Sequence, residues 1–319
     1  MMSSTFSFLA KDNTDIHVFK WLPDANTGGG IRGAIQIAHG LAEHAGRYAR
    51  VAEELTKAGF AVYANDHRGH GQTAKRDEDV GIFSEHDGWS CVLADVHQLN
   101  GIIRAEHPGV PVVVMGHSMG SYFVQHLLFA HPEDADAAIM SGTSGKPPAI
   151  AKVGIYVAKL ERARLGKRGQ SALLNTLGFG AFNKAFKPTR TAFDWLSRDP
   201  AEVDKYIADK RCGFVATSQL WVDLLGGLDT IASANNQARV NKDLPLYIFA
   251  GARDSVGEHT ASVQQLIGAY QKAGLKNVEH RFYPGARHET LNETNRSEVT
   301  ADLLAWLHRV LAARTSIAA

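Results

Sequence analysis

Pro111-Val112-Val113-Val114-Met115-Gly116-His117-Ser118-Met119-Gly120-Ser121-Tyr122-Phe123-Val124-Gln125-His126-Leu127-Leu128-Phe129-Ala130 is the stretch that decides how this chain reads. Its first part is a short apolar run of the kind that forms a fully buried strand, and its last part reads as a helix. Between them Ser118 sits on a turn with glycine two positions before and two after. A serine at such a strand–turn–helix junction matches a nucleophile elbow. The turn is tight enough that only hydrogen side chains fit at Gly116 and Gly120, and the strained backbone lifts the hydroxyl clear of the sheet. The helix that follows aims its positive end and free N–H groups at the same point.

Working outward, short apolar strands alternate with helices. Strands are expected at 16–21, 33–38, 60–65, 111–116, 137–140, 244–250 and 278–283, with a turn over 24–30. Helices are expected over 47–58, which stops at Gly59, and over 89–106, which stops before Pro108. The pattern implies an α/β fold with a mostly parallel central sheet flanked by helices. Residues 144–232 break the alternation with helical patches and aromatics, including Phe179, Phe182, Phe186, Phe193, Trp195 and Trp221. The expected organisation is therefore a core of 1–143 and 233–319 with a helical cap, 144–232, inserted before the late strands.

The 319 residues carry a net charge of +1 and 45% hydrophobic content. That suffices for one large core and gives no reason to expect a nucleic-acid partner. No apolar run reaches the roughly 18 residues of a membrane span. The N-terminus has no basic start and does not read as a secretion signal, so a cytoplasmic location is expected. Cys91 and Cys212 are the only cysteines and read as reduced thiols, not a disulfide framework.

A serine hydroxyl needs a base, and the base needs an orienting acid. The acid should follow a late strand and the base the last one. Tyr247-Ile248-Phe249-Ala250-Gly251-Ala252-Arg253-Asp254 supplies Asp254, whose plainer role is to cap a helix starting near Gly257. His280-Arg281-Phe282-Tyr283-Pro284-Gly285-Ala286-Arg287-His288-Glu289 supplies His288. Of the 15 histidines, His97, His107, His126, His131 and His308 read as capping or surface residues, and His259 falls inside the helix expected after Asp254. Glu258 and Glu289 are fallback acids. The oxyanion donors are expected to be the N–H of Met119 and that of Leu41, where Gly40 lets the backbone turn. His39 has no partner at ligand spacing and reads as a loop histidine. No metal and no cofactor is needed.

Two further blocks are more specific than the serine motif, His39-Gly40-Leu41-Ala42-Glu43-His44-Ala45-Gly46-Arg47-Tyr48 and Asp66-His67-Arg68-Gly69-His70-Gly71-Gln72-Thr73, and cap segments lie at 179–186 and 193–199. With Gly116 to Gly120, Asp254 and His288, the chain resembles the monoacylglycerol lipase and lysophospholipase branch of the serine α/β-hydrolases, bacterial type, over nearly its whole length. That resemblance implies the α/β-hydrolase fold, Ser118 as nucleophile, His288 as base, Asp254 as orienting acid, and Leu41 and Met119 as oxyanion donors. It also implies that Glu43 and Arg47 form the polar alcohol end of the pocket, although an acid–arginine pair four apart also reads as a surface ion pair. Ser121 departs from relatives that carry another glycine there.

The expected chemistry is hydrolysis of a monoacylglycerol or similar single-chain lipid ester through an acyl-enzyme. Leu173, Leu174, Leu177, Phe179, Phe182 and Phe186 are candidates to line the acyl channel. The stretch with Ile150, Val153, Val157 and Leu160, surrounded or followed by Lys152, Lys159, Arg162, Arg164, Lys167 and Arg168, reads first as a helix packed on the core. Its alternative is peripheral contact between the cap and an anionic lipid surface. Rival functions are a lysophospholipase, a short-chain carboxylesterase, a serine peptidase, an acyltransferase and a non-catalytic binding protein. The sequence sets no oligomeric state.

Overall fold

The structure is a computed structural model that describes residues 1–24, 30–147 and 149–315, with backbone only at 149–152 and 313–315. Most of the turn expected at 24–30, and the side chains of Ile150 and Lys152, lie outside the described residues. In chain order the elements are β1 (Met2–Leu9), β2 (Asp15–Leu22), β3 (Gly33–Ala38), α1 (Ala49–Lys57), β4 (Phe60–Asn65), α2 (Gly88–Glu106), β5 (Val112–His117), α3 (Met119–Ala130) and β6 (Ala137–Ser141). There follow α4 (Ala149–Leu165), α5 (Ala172–Phe179), α6 (Pro200–Ala208), α7 (Ser218–Ile231), α8 (Ala234–Gln237), β7 (Leu246–Gly251), α9 (Ala261–Lys272), β8 (Val278–Tyr283) and α10 (Arg296–Thr315).

The eight strands form one sheet in the order β1-β2-β4-β3-β5-β6-β7-β8. The β1–β2 and β2–β4 pairs are antiparallel, and every pair from β4 to β8 is parallel. This is the α/β-hydrolase architecture. Successive residues of the central strands feed opposite cores, as the period of two requires. Val113 and Met115 of β5 pack with α1 and α10, while Val114 packs with α2, α3 and α9. Each such side chain, taken fully out of water, contributes about 1.5–3 kcal/mol before entropy is counted. Because both faces are covered, β3 to β7 read as unbroken apolar runs. Sequence reasoning missed β1, an edge strand whose residues are mostly exposed.

Among the described residues, the chain between β6 and β7 contains helices and one isolated bridge, Gln170 to Thr217, but no strand. Its last long helix is not detached from the core. Leu220, Trp221 and Leu224 of α7 share a cluster with Trp89 of α2 and Phe123 of α3. No helix among the described residues is long and apolar enough to cross a membrane.

The tightest packing lies where β5 meets α3. A Cβ on Gly120 would fall 2.0 Å from the Ala38 carbonyl oxygen of β3, and one on Gly116 would fall 2.5 Å from the Gly120 backbone. Gly120→Ala is therefore expected to destabilise the fold by about 1–3 kcal/mol or more, read as a lower urea midpoint. Gly101→Ala, on the open face of α2 with nothing within 4 Å, is expected to gain about 0.5–1 kcal/mol in the same assay.

Candidate active site

Ser118 directly follows β5 and takes φ 50°, ψ −122°, a left-sided conformation that a side chain adopts only under constraint. The constraint is visible on both sides. The Ser118 N–H donates to the Ser141 carbonyl at the end of β6 (2.9 Å). Ser121, the departure from the glycine of relatives, is fully buried and uses its hydroxyl to hold the Ser118 carbonyl (2.6 Å) and Thr143 Oγ1 (2.7 Å). The serine thus ties the elbow to the strand beside it. Met119 opens α3, so its N–H lies in the first turn, outside the helix's own ladder.

The loop after β3 approaches from the other side. A Cβ on Gly40 would stand 3.2 Å from Ser118 Cβ and 2.8 Å from Glu43 Oε1. Gly40 is thus required by close approach. The positive φ in this loop belongs to Ala42, at 56°, and not to Gly40, where the sequence placed the special turn. The Gly40 N–H donates to Glu43 Oε1 (2.6 Å), and the Tyr48 hydroxyl donates to the same oxygen (2.9 Å).

His288 follows β8, and Asp254 follows β7. They meet with His288 Nδ1 3.0 Å from both carboxylate oxygens of Asp254. Asp254 also accepts from the Val256 N–H (2.9 Å) and does not cap the next helix, which begins at Ala261. His259 lies outside that helix, at φ 52° in the strained turn before it. Burial pulls the His288 imidazole towards neutrality, but the charge and hydrogen bond of Asp254 prevail and hold its pKa above the ordinary histidine value. His117, whose ring centre is 4.8 Å from that of His288, is pulled down to about 4 by burial and by His288 itself. It stays neutral near pH 7 and does not compete for the proton. Of the fallback acids, Glu258 is exposed and Glu289 is committed elsewhere.

That commitment corrects the surface reading of Glu43 and Arg47. Arg47 donates to Glu43 Oε2 (2.6 Å) and forks onto both oxygens of Glu289 (2.7 Å each), and both carboxylates are buried. Burial opposes the charge on Glu43 and Glu289, but the Arg47 guanidinium wins and keeps both ionised below the usual carboxylate range. Glu43 borders the main cavity. Arg47 instead borders a separate recess of about 20 Å³, room for a water.

The main cavity, about 220 Å³, has Gly40, Leu41, Glu43, His117, Ser118, His288 and Glu289 on the core side. The inserted helical segment supplies Thr176, Phe179, Phe193, Trp195, Leu196, Tyr206 and Phe214. Phe179 is at the cavity as expected. Phe182 is not: it packs on Trp195, with ring centres 4.9 Å apart. The other channel candidates also turn away. Leu174 is buried in the core cluster, Phe186 lies against Arg287, and Leu173 and Leu177 are 50% and 60% exposed. One face of a helix cannot serve all of them, and α5 gives its cavity face to Asn175, Thr176 and Phe179. The sequence also missed the packing of His39 with His67 and His70, whose ring centres lie 4.2 and 5.2 Å from its own. There the His39 imidazole accepts from the His67 N–H (2.9 Å) and secures the floor of the loop.

Comparison with known proteins bears on the family and the fold. Residues 29–295 match the family described as serine aminopeptidase, S33 (Hydrolase_4). The chain belongs to this family. A monoacylglycerol lipase of Mycolicibacterium smegmatis is 30% identical over 311 residues, covering 96% of this chain and 99% of that one. Human monoglyceride lipase is 36% identical over 273 residues, 82% of this chain and 80% of its own. The crystal structure of a thermostable carboxyl esterase from Bacillus coagulans in complex with glycerol superposes with a TM-score of 0.89 at 25% identity, covering 98% and 99% of the two chains. A soluble variant of monoglyceride lipase from Saccharomyces cerevisiae shares the fold, with a TM-score of 0.73 at 20% identity over 96% and 94%.

The balance at His288 is open to measurement. Asp254→Asn removes the charge that opposes burial, so the imidazole pKa, followed by NMR through its ring resonances, is expected to fall from above 6.5 in the parent chain to a lower value in the variant.

Proposed function

We propose that this protein is a serine ester hydrolase acting on monoacylglycerols, with Ser118, His288 and Asp254 as its triad. The observation that carries the reading is the His288–Asp254 bond closing onto the same apolar-walled cavity that Ser118 borders. In this reading Asp254 accepts the Nδ1 proton and so leaves Nε2 free to act as base. Ser118 Oγ attacks the ester carbonyl as His288 takes its proton. The Leu41 and Met119 N–H groups receive the oxyanion. His288 returns the proton to the leaving alcohol, and a water activated by the same imidazole releases the fatty acid. Glu43 and Arg47 act by holding the Gly40–Leu41 loop in place; of the two, Glu43 alone reaches the cavity wall.

The family description names aminopeptidases, and the cavity argues against that activity here. A free α-amine needs an unengaged carboxylate. Glu43 accepts from Gly40, Arg47 and Tyr48, while Glu289 accepts from Arg47 and Asn292. The remaining walls, Phe179, Phe193, Trp195, Leu196 and Phe214, suit an acyl chain. The names of the relatives point the same way. Ser118→Ala is expected to lower monoacylglycerol turnover about 10³- to 10⁶-fold and to abolish covalent labelling by a fluorophosphonate. Turnover of aminoacyl amides but not of glyceryl esters by the parent chain would replace the esterase reading with the peptidase one.

We also propose that the inserted segment rests on lipid surfaces through apolar contact. Val157 turns inward against the core, but Val153, Tyr156 and Leu160 of α4 are 54%, 67% and 70% exposed. With Leu173 and Leu177 of α5, they leave large apolar groups in water on two helices that follow one another in the chain. The expected helix packed on the core is thus only half realised. Part of the basic charge is already engaged, since Arg164 pairs with Glu161, and Lys167 and Arg168 reach Glu85, so the contact proposed is the apolar one. Co-sedimentation with phosphatidylcholine vesicles is expected to fall several-fold in Leu160→Ser/Leu177→Ser and to change little with salt.

A further inference from the structure

On the face of the sheet that carries α2 and α3, well outside the residues that line the cavity, two histidines come together. His97 stands on α2. His131 is the residue that ends α3. Their rings are stacked, with centres 3.8 Å apart and planes 17° from parallel. Glu133 follows in the next turn, and one nitrogen of each ring and one of its carboxylate oxygens all lie within 4.8 Å of one another.

We propose that His97, His131 and Glu133 form a binding site for a zinc-class divalent cation. Two imidazoles and a carboxylate are a recurrent zinc donor set, with water completing the tetrahedron. Stacked this closely, the two rings hold their lone pairs in nearly parallel planes, so the part-exposed His131 turns off the stack for both nitrogens to reach one ion, while the support behind His97 is already built. Asp134, almost fully buried, accepts from His97 Nδ1 at 2.7 Å. That bond fixes the ring and leaves Nε2 as its lone-pair nitrogen, the carboxylate–histidine arrangement found behind metal ligands. The carboxylate of Glu133 is not taken by the nearby arginine, since Arg104 donates to the Glu133 backbone carbonyl instead. The position also suits a cation electrostatically, because the C-terminal end of α3 presents the negative pole of that helix. Side-chain exposures of 43%, 32% and 66% for His97, His131 and Glu133 leave an open path from solvent.

A second group, His44, Asp209 and Cys212, is as compact but argues against a cation. The nearer nitrogen of His44 is already bonded to Asp209 (2.8 Å), and the Arg47 guanidinium acts on Cys212 from close by. A metal at the α2–α3 site would add a second polar tie between two helices already joined by the Trp89 Nε1–His126 Nδ1 bond (2.9 Å), and α3 is the helix that follows Ser118.

The test is titration of the full untagged chain with zinc chloride by calorimetry at pH 7.5, repeated with cobalt(II) and visible spectroscopy. One zinc per chain is expected, with a rise in Tm and a tetrahedral cobalt spectrum. Binding should be lost in His97→Ala and in His131→Ala, and weakened about 10- to 100-fold in Asp134→Asn. It should be unchanged in Cys212→Ser. Should a histidine variant fail to fold, the exposed Glu133→Gln serves in its place and is expected to weaken zinc and alter the cobalt spectrum. Absence of stoichiometric binding, or binding that survives His97→Ala and His131→Ala or ignores Glu133→Gln, would overturn the proposal.

Discussion

Everything at this site follows from a backbone contact. The Ala38 carbonyl occupies the space that a side chain at position 120 would need, so α3 lies directly against β3. That approach forces Ser118 into its left-sided conformation and sets it beside Gly40, on the loop that leaves the same strand. Ser118 and the loop therefore share one rigid origin, the carboxyl ends of β3 and β5. The crevice outside those strand ends is the usual place for a ligand in an open α/β sheet.

Electrostatics extends this origin to His288. Arg47 lies between two buried carboxylates, Glu43 and Glu289. Glu43 grips the Gly40 N–H, and Glu289 is the neighbour of His288. A single guanidinium thus spans the distance between the loop beside the serine and the loop that carries the imidazole. Such a buried network adds little net stability, because desolvation offsets much of the attraction. Its value lies in geometry: a forked arginine accepts only a narrow range of separations between the groups it joins.

The sequence displayed the features that depend on local pattern. The buried strands β3 to β7, the edge strand β8, the elbow, and the loops that carry Asp254 and His288 were legible because strand hydrophobicity, turn glycines and chain order are local or ordinal signals. β1 was not, since an exposed edge strand carries little apolar alternation. The fork from Arg47 to Glu289 joins residues 242 apart, and no spacing rule finds it. The apolar face drawn along α4 mixed Val157, which turns inward, with Leu160, which does not, because periodicity alone does not say where the neighbouring helix will lie. Phe182 was misplaced for the same reason. Composition made it apolar, and only tertiary packing decided that its neighbour would be Trp195 and not substrate. His97 and His131 each looked like an ordinary surface residue until the fold stacked their rings.

The inserted segment touches the Ala42 and Glu289 loops through backbone bonds as well as side chains. Ala42 receives the Tyr206 hydroxyl (2.8 Å) and the Gly213 N–H (2.9 Å), and the Glu289 N–H donates to Leu196 (2.8 Å). Residues 195–213 are thereby moored to both walls of the crevice. A swing of the whole segment about a hinge would tear these bonds and disturb the serine loop and the histidine loop together. An opening that spares both loops therefore leaves residues 195–213 where they are.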